Sequence, residues 1–310
     1  MFLITGASGF IGKGLQETLK QRGLPYRAVS RRALPGYFPI SDVGTDTDWS
    51  EALKGIDTVV HLAAANQNVI EGKTDDSSYR TVNVDGTARL AEQAATAGVK
   101  RFIFLSSIKA NGEMTVPGRP FTPTSIPSPE SAYGRSKLEA EQRLAEIGER
   151  TGLTTISIRP PLVYGEGGRG SFEALAGLVR KRLPLPLRSV ENRRSMIYLE
   201  NLTDLIVTAA LRPTVTSKVL LPSDGDAVST PQLLRMIASA AGTSAMLLPF
   251  PVVVLERAAR MLGKAELVQR LTQSLEVDGS QTCGSLGWTP PFTMREGLDR
   301  VLSPRPREKE

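Results

Sequence analysis

Tyr133-Gly-Arg-Ser-Lys137 places a phenol and an ammonium four residues apart. On a helix that spacing puts both on one face. An ammonium about 4 Å from a phenol, at an effective dielectric near 20, favours the phenolate by roughly 4 kcal/mol, or about three pKa units. Such a pair brings a tyrosine from about 10 towards 7, where it exchanges protons with a hydroxyl or a ketone. Alone the pattern is weak, because any helix can carry it. Its position adds weight: it follows the apolar run Phe102 to Leu105, whose end delivers the hydroxyls of Ser106-Ser107.

A second chemical signal is Gly6-Ala-Ser-Gly9-Phe10-Ile11-Gly12, directly after the apolar run Met1 to Ile4. Gly6 can turn the chain, Gly9 lets backbone approach a pyrophosphate, and Gly12 lets a helix pack closely on the preceding strand. The helix start then offers free N–H groups and a positive dipole end. The plainer use of these glycines is a tight turn. A nucleotide-triphosphate loop fits badly, since Lys13 is followed by Gly14 rather than Ser or Thr. In a NAD site an acid about 20 residues further on meets the ribose hydroxyl. Here no carboxylate lies between Glu17 and Asp42, and the next apolar segment ends in Ser30-Arg31-Arg32. An arginine pair attracts the extra phosphate of NADP(H). NADP(H) is therefore the favoured dinucleotide and NAD(H) the alternative, with two solvated arginines as the plain reading.

These residues need elements to hold them. Helix is expected over 11–22, 49–54, 79–97 and 131–150, and strand over 1–4, 26–30, 57–62, 101–105 and 155–159. That alternation predicts an α/β fold: a Rossmann-type doubly wound parallel sheet covered by helices on both faces. After Pro160-Pro161 the pattern loosens, with prolines at 184, 186, 213, 222, 231, 249 and 251. Residues 1–165 read as the dinucleotide-binding domain and 166–310 mainly as a smaller mixed α/β substrate region, with a soft boundary. The tail, Pro304 to Glu310, reads as frayed.

The chain has 310 residues, 40% of them hydrophobic and 23% charged, and a net charge of +6. This suits a folded domain pair and excludes disorder and collagen-like repeats. One cysteine, Cys283, and one histidine, His61, allow neither a disulfide nor a zinc cluster, so no metal is expected. The basic residues are scattered among acids with few aromatics, which argues against nucleic acid. No signal-type segment opens the chain, and the expected compartment is the cytoplasm. No apolar run approaches the ~18 residues of a membrane span, so stable membrane insertion is not expected. The longest, Leu247 to Leu255, holds two prolines; core packing or contact with a membrane-bound substrate are the uses open to it.

Together the motifs resemble the extended short-chain dehydrogenase/reductase family of NAD(P)-dependent sugar-nucleotide epimerases, dehydratases and reductases. The resemblance rests on Thr5 to Gly12, Asp42-Val43, His61-Leu-Ala-Ala64, Asn83-Val-Asp-Gly-Thr87, Ser106-Ser107, Tyr133 with Lys137, Arg159-Pro160 and Arg194-Ser-Met-Ile-Tyr198. It implies Tyr133 as the acid/base, Lys137 on the nicotinamide ribose, and Ser107 on the reacting oxygen. Ser107 is preferred to Ser106 because it stands five residues before Gly112, the family's spacing. By the same resemblance Phe10, Ile11 and the glycines meet the dinucleotide, Asp42 and Val43 its adenine, Leu62, Ala63, Ala64 and Pro160 its flank, and Asn83 backs the site. For Asn83, Asp42 and His61 a purely structural role stands beside direct contact. Arg194 occupies the position that meets a nucleotide diphosphate. Ser171 replaces the usual Asn of the substrate loop, and Asn201 replaces an acid.

Phe104 to Glu113, Arg159 to Gly165 and Asn192-Arg-Arg-Ser195 are most similar to the branch found in bacterial surface-polysaccharide loci. Its members act at carbon 4 of UDP-linked N-acetylhexosamines or their 4-keto-6-deoxy derivatives. A dehydratase is disfavoured, because Ile108 and Lys109 follow Ser107 where those relatives carry an Asp-Glu pair. Arg31 and Arg32 tilt the expectation towards an NADPH-dependent 4-ketoreductase of a UDP-4-keto-6-deoxy-N-acetylhexosamine, with a UDP-sugar 4-epimerase as the alternative. A non-catalytic dinucleotide sensor is the remote alternative. The resemblance also implies a homodimer.

Overall fold

The computed structural model describes residues 1–65, 76–168, 170–215 and 218–303, and the tail expected to fray lies outside them. In chain order the strands are β1 (Phe2–Thr5), β2 (Tyr26–Ser30), β3 (Phe38–Pro39), β4 (Thr58–His61), β5 (Arg101–Leu105), β6 (Thr154–Ile158), β7 (Leu162–Tyr164), β8 (Met196–Tyr198) and β9 (Val219–Leu220). The helices are α1 (Phe10–Gln21), α2 (Ser50–Leu53), α3 (Asp76–Tyr79), α4 (Gly86–Thr96), α5 (Ala132–Thr151), α6 (Ser171–Arg180), α7 (Leu199–Leu211), α8 (Thr230–Ala240), α9 (Val252–Met261), α10 (Ala265–Thr272), α11 (Ser280–Leu286) and α12 (Met294–Leu302).

Seven strands form one parallel sheet in the order β3-β2-β1-β4-β5-β6-β9. The order reverses between β1 and β4, so a crevice opens where their carboxyl ends diverge, the usual ligand position in such sheets. One core lies under α1 and α7 and a second under α2, α4 and α5. In α1 the spacing of Leu15 and Leu19 turns both into the first core, and Gly23, at φ +64°, follows its end. A third core joins α6, α8 and α12 to the short parallel pair β7–β8.

The expected strands and helices match within a few residues, with one exception of kind. The helix expected over 79–97 begins earlier, and Arg80 to Asp85 widen into a π-helical turn before α4. The chain also crosses the soft boundary near 165 twice: α7 packs on the first core and β9 extends the main sheet beside β6. The cause is the apolar content of α7, which buries nine of its side chains. Leu247 and Leu255 pack against the third core, which answers for the inner half of that apolar run. No helix among the described residues is long and apolar enough to cross a membrane.

Candidate active site

The sheet delivers the site from below. A side chain at Gly12 would collide with the Gly6 carbonyl oxygen and Ala7, so only glycine lets α1 start this close to β1. No side chain caps α1 and no acid stands in its first turn. Its N–H groups and dipole are left for an anion, and Gly9 is exposed beside them. The residues present therefore fit a dinucleotide pyrophosphate, with Phe10 and Ile11 opening the helix and Leu62 to Ala64 half-buried across the crevice.

His61 ties the two sides together. Thr5 Oγ1 accepts from the backbone N–H groups of Leu62 and Ala63, so its own proton goes to His61 Nδ1 at 2.7 Å. That leaves His61 Nε2–H to donate to Thr87 Oγ1 at 3.0 Å. Burial, with Lys137's charge adding, pulls the imidazole down to about 3, so it is neutral. Its structural role is the one the geometry supports. Asn83 acts similarly: its amide exchanges hydrogen bonds with Ala65 and donates to Ser136, one turn along from Tyr133.

Ser131 caps α5 through Gly134 N–H, and Gly134 lets the helix lie on the Lys109 carbonyl, where a side chain would collide. This closeness brings Tyr133 and Lys137 to the turn that carries Ser107. Ser106 is diverted: its hydroxyl donates to buried Glu141, which also holds Arg159 through two nitrogens. Ser107 keeps a half-exposed hydroxyl that, among the described residues, accepts only from Lys109 N–H. Pro160 is buried beside it and accepts from Ile108 N–H.

Lys137 Nζ donates to the Leu105 carbonyl at 2.8 Å and lies 4.4 Å from the Phe104 ring centroid, but 5.9 Å from that of Tyr133. Burial pulls the amine down to about 7, against the opposing effect of Glu141. Burial pushes the Tyr133 phenol up to about 12, and the Tyr79 hydroxyl group adds to it. The expected drop towards 7 is therefore not a property of the bare chain. Desolvation of both groups outweighs their attraction, since Nζ is turned to a carbonyl.

Arg31 and Arg32 do not stand as a free pair. Arg31 lies 3.4 Å from Asp42, both more than half exposed, so the basic end of β2 is partly neutralised by the residue expected at the adenine. Arg32 is exposed, and Val43 is buried in the second core. Arg194 is drawn inward, where its guanidinium donates to the Gln273 carbonyl at 3.1 Å. Burial first, and the charge of Arg270 second, pull its pKa down. A cation drawn inward with one carbonyl as its side-chain partner among the described residues favours an anion beside it. Arg193 instead pairs with Glu276 at 2.8 Å and lines a cleft of about 530 Å³ with Asp224 and Phe292. Ser171 is exposed at the start of α6. Asn201 replaces an acid for a reason visible here: it donates to Asp224 and to the Phe292 carbonyl, and a carboxylate would repel both.

The sequence reading missed Glu141, Asn111, Arg270 and Asp224. Glu141 had a signal, standing four residues after Lys137 on the same helix. Asp224 had none: it receives Tyr164 from one distant segment and Asn201 and the Tyr198 N–H from another. Among the described residues no cluster of metal-binding side chains occurs.

A parallel sheet with a glycine turn at its switch point, and Ser, Tyr and Lys gathered beside it, is the framework of a Rossmann-type oxidoreductase. The chain belongs to the NAD dependent epimerase/dehydratase family, whose sequence profile matches residues 2–219. It is 41% identical to the UDP-glucose 4-epimerase of Vibrio cholerae, over 96% of this chain and 93% of that one. It is 27% identical to MoeE5, solved with UDP-glucuronic acid and NAD, with a TM-score of 0.76 and 97% of each chain covered. The UDP-N-acetylglucosamine 4-epimerase of Bacillus cereus shares the fold, with a TM-score of 0.80 at 20% identity and 97% of each chain covered.

Proposed function

We propose that this enzyme is a 4-epimerase of a UDP-linked hexose or N-acetylhexosamine that keeps NAD(H) through its cycle. The observation that carries the reading is a chain 41% identical to a UDP-glucose 4-epimerase along nearly its whole length, with Ser107, Tyr133 and Lys137 all present in it. The ion pair between Arg31 and Asp42 weakens the argument for NADP(H), and with it the argument for a ketoreductase.

In this reading the pyrophosphate lies on the start of α1 and the nicotinamide ribose on Lys137. The nicotinamide supplies a hydride acceptor that returns what it takes. Tyr133, ionised, removes the proton of the sugar's 4-hydroxyl as carbon 4 becomes a ketone, and gives it back once the sugar presents its other face. Ser107 donates to that oxygen throughout. Protonated Lys137 favours the phenolate, and Arg194 with Arg270 holds the diphosphate while the sugar turns. Pairing of two copies through helices of the sheet half belongs to the same reading.

A second reading, NADPH-dependent reduction of a UDP-4-keto-6-deoxy-N-acetylhexosamine, is favoured by the exposed Arg32 and by the lack of an acid at the end of β2. One assay separates the two. Purified enzyme with UDP-N-acetylglucosamine or UDP-glucose and no added cofactor is expected to yield the galacto isomer. No isomer, with many equivalents of NADPH consumed on the 4-keto sugar nucleotide, would replace the epimerase by the reductase.

A further inference from the structure

Among the described residues thirteen large hydrophobic side chains are exposed, and eight of them fall between Met246 and Leu267. Exposed apolar residues scattered singly need no explanation, but such a concentration does. Leu248 and Phe250 lead into α9, where spacings of four, seven and eight residues place Val253, Arg257, Arg260 and Met261 on one face. That face is turned to solvent: Val253 is 58% exposed, Met261 88% and Leu262, just beyond, 72%. Arg257, Arg260 and, after the Gly263 turn, Lys264 are exposed among them. None of the three has an ion-pair partner among the described residues. Glu256, next to Arg257 in the sequence, is engaged elsewhere and accepts from Thr272.

We propose that this face of α9, with the segment before it, docks on the surface of an anionic lipid bilayer. Apolar side chains interspersed with cations on one exposed helical face are what an interfacial helix presents to headgroups and the acyl boundary. A second copy of this chain is a poor occupant, because a two-fold contact would set Arg257, Arg260 and Lys264 against themselves. The location also suits the site. Val252, on the inner side of α9, lines a cleft with Thr115, Asn192 and Gln273, and Gln273 is the residue whose carbonyl holds Arg194. Docking would therefore bring the diphosphate-facing part of the enzyme close to the bilayer.

Co-sedimentation of the full chain with vesicles tests this. Binding is expected to vesicles of mixed phosphatidylglycerol and phosphatidylcholine but not to phosphatidylcholine alone, and to weaken with added salt. The double change R257E/R260E is expected to lower binding by at least about tenfold, and Met261→Asp to lower it too. Both leave UDP-sugar turnover in solution unchanged, since these side chains lie outside the catalytic and binding groups. No binding to the anionic vesicles, or binding that R257E/R260E leaves intact, would overturn the proposal. So would a concentration-dependent dimer that Met261→Asp dissociates, which would assign the face to a second copy.

Discussion

The sheet half and the half expected to bind substrate treat a guanidinium drawn inward in different ways. Around β1, β4, β5 and β6 Thr5, His61 and Thr87 form a neutral line, and Arg159 is held by Glu141 and by Asn111, although Arg101 Nε and Asn111 Nδ2 are buried there with no partner among the described residues. In that second half Arg194 is drawn inward with a single backbone carbonyl as its side-chain partner among the described residues, and the charge of Arg270 opposes its own. Asp224 there is a half-buried carboxylate that desolvation pushes up, even though three groups donate to it. The lesson is that the buried guanidinium of the first half is pre-organised by a carboxylate, whereas Arg194 in the second has no carboxylate partner among the described residues.

The largest effect expected is on chemistry rather than folding. Tyr133→Phe removes a hydroxyl with no hydrogen bond to a described residue, so thermal stability should barely move while turnover falls by about 10³-fold or more. A variant that kept wild-type turnover would remove Tyr133 from the mechanism.

Next in size is the buried ion pair. Glu141→Ala leaves Arg159, 4% exposed, without its carboxylate, and should cost about 3–5 kcal/mol in urea unfolding. If the loss were below about 1 kcal/mol, the sheet half would not be the pre-organised one.

The substrate half should answer to ligand instead. UDP at about 100 times its dissociation constant is expected to add about 2.7 kcal/mol to unfolding, and Arg194→Met to remove most of that gain at the same UDP concentration. Equal stabilisation of wild type and variant would place the diphosphate elsewhere.

The smallest effect is a pH dependence. His61 titrates near 3 when folded and near 6.5 unfolded, so between those values the unfolded chain binds the extra proton. Stability from this group is complete above 6.5 and falls with acidification, by about 2 kcal/mol between pH 6.5 and 5. Comparing wild type with His61→Gln at both pH values isolates that contribution; parallel losses in the two would show that other groups cause it.

The glycine turn, the strands and the Tyr133–Lys137 spacing were legible because each depends on neighbours within a turn or a strand. The spacing that prefers Ser107 to Ser106 did not contain what the structure adds, that Glu141 claims the Ser106 hydroxyl. That Arg31 is not a free cation was not legible, because Asp42, eleven residues beyond it, folds back onto it.

The sequence by itself determined the alternation of strand and helix, the anion-ready start of α1 and the residue types of the reacting group. Local sterics and hydrophobic periodicity act over a few residues and survive in one dimension. Only the tertiary structure decided that α7 and β9 return to the first half, that Asp224 gathers three distant donors, and that Tyr133 and Lys137 are both shifted away from their charged forms. Burial decides these, because the free energy of a charge depends on what excludes water around it, and that is set by segments far apart in the chain.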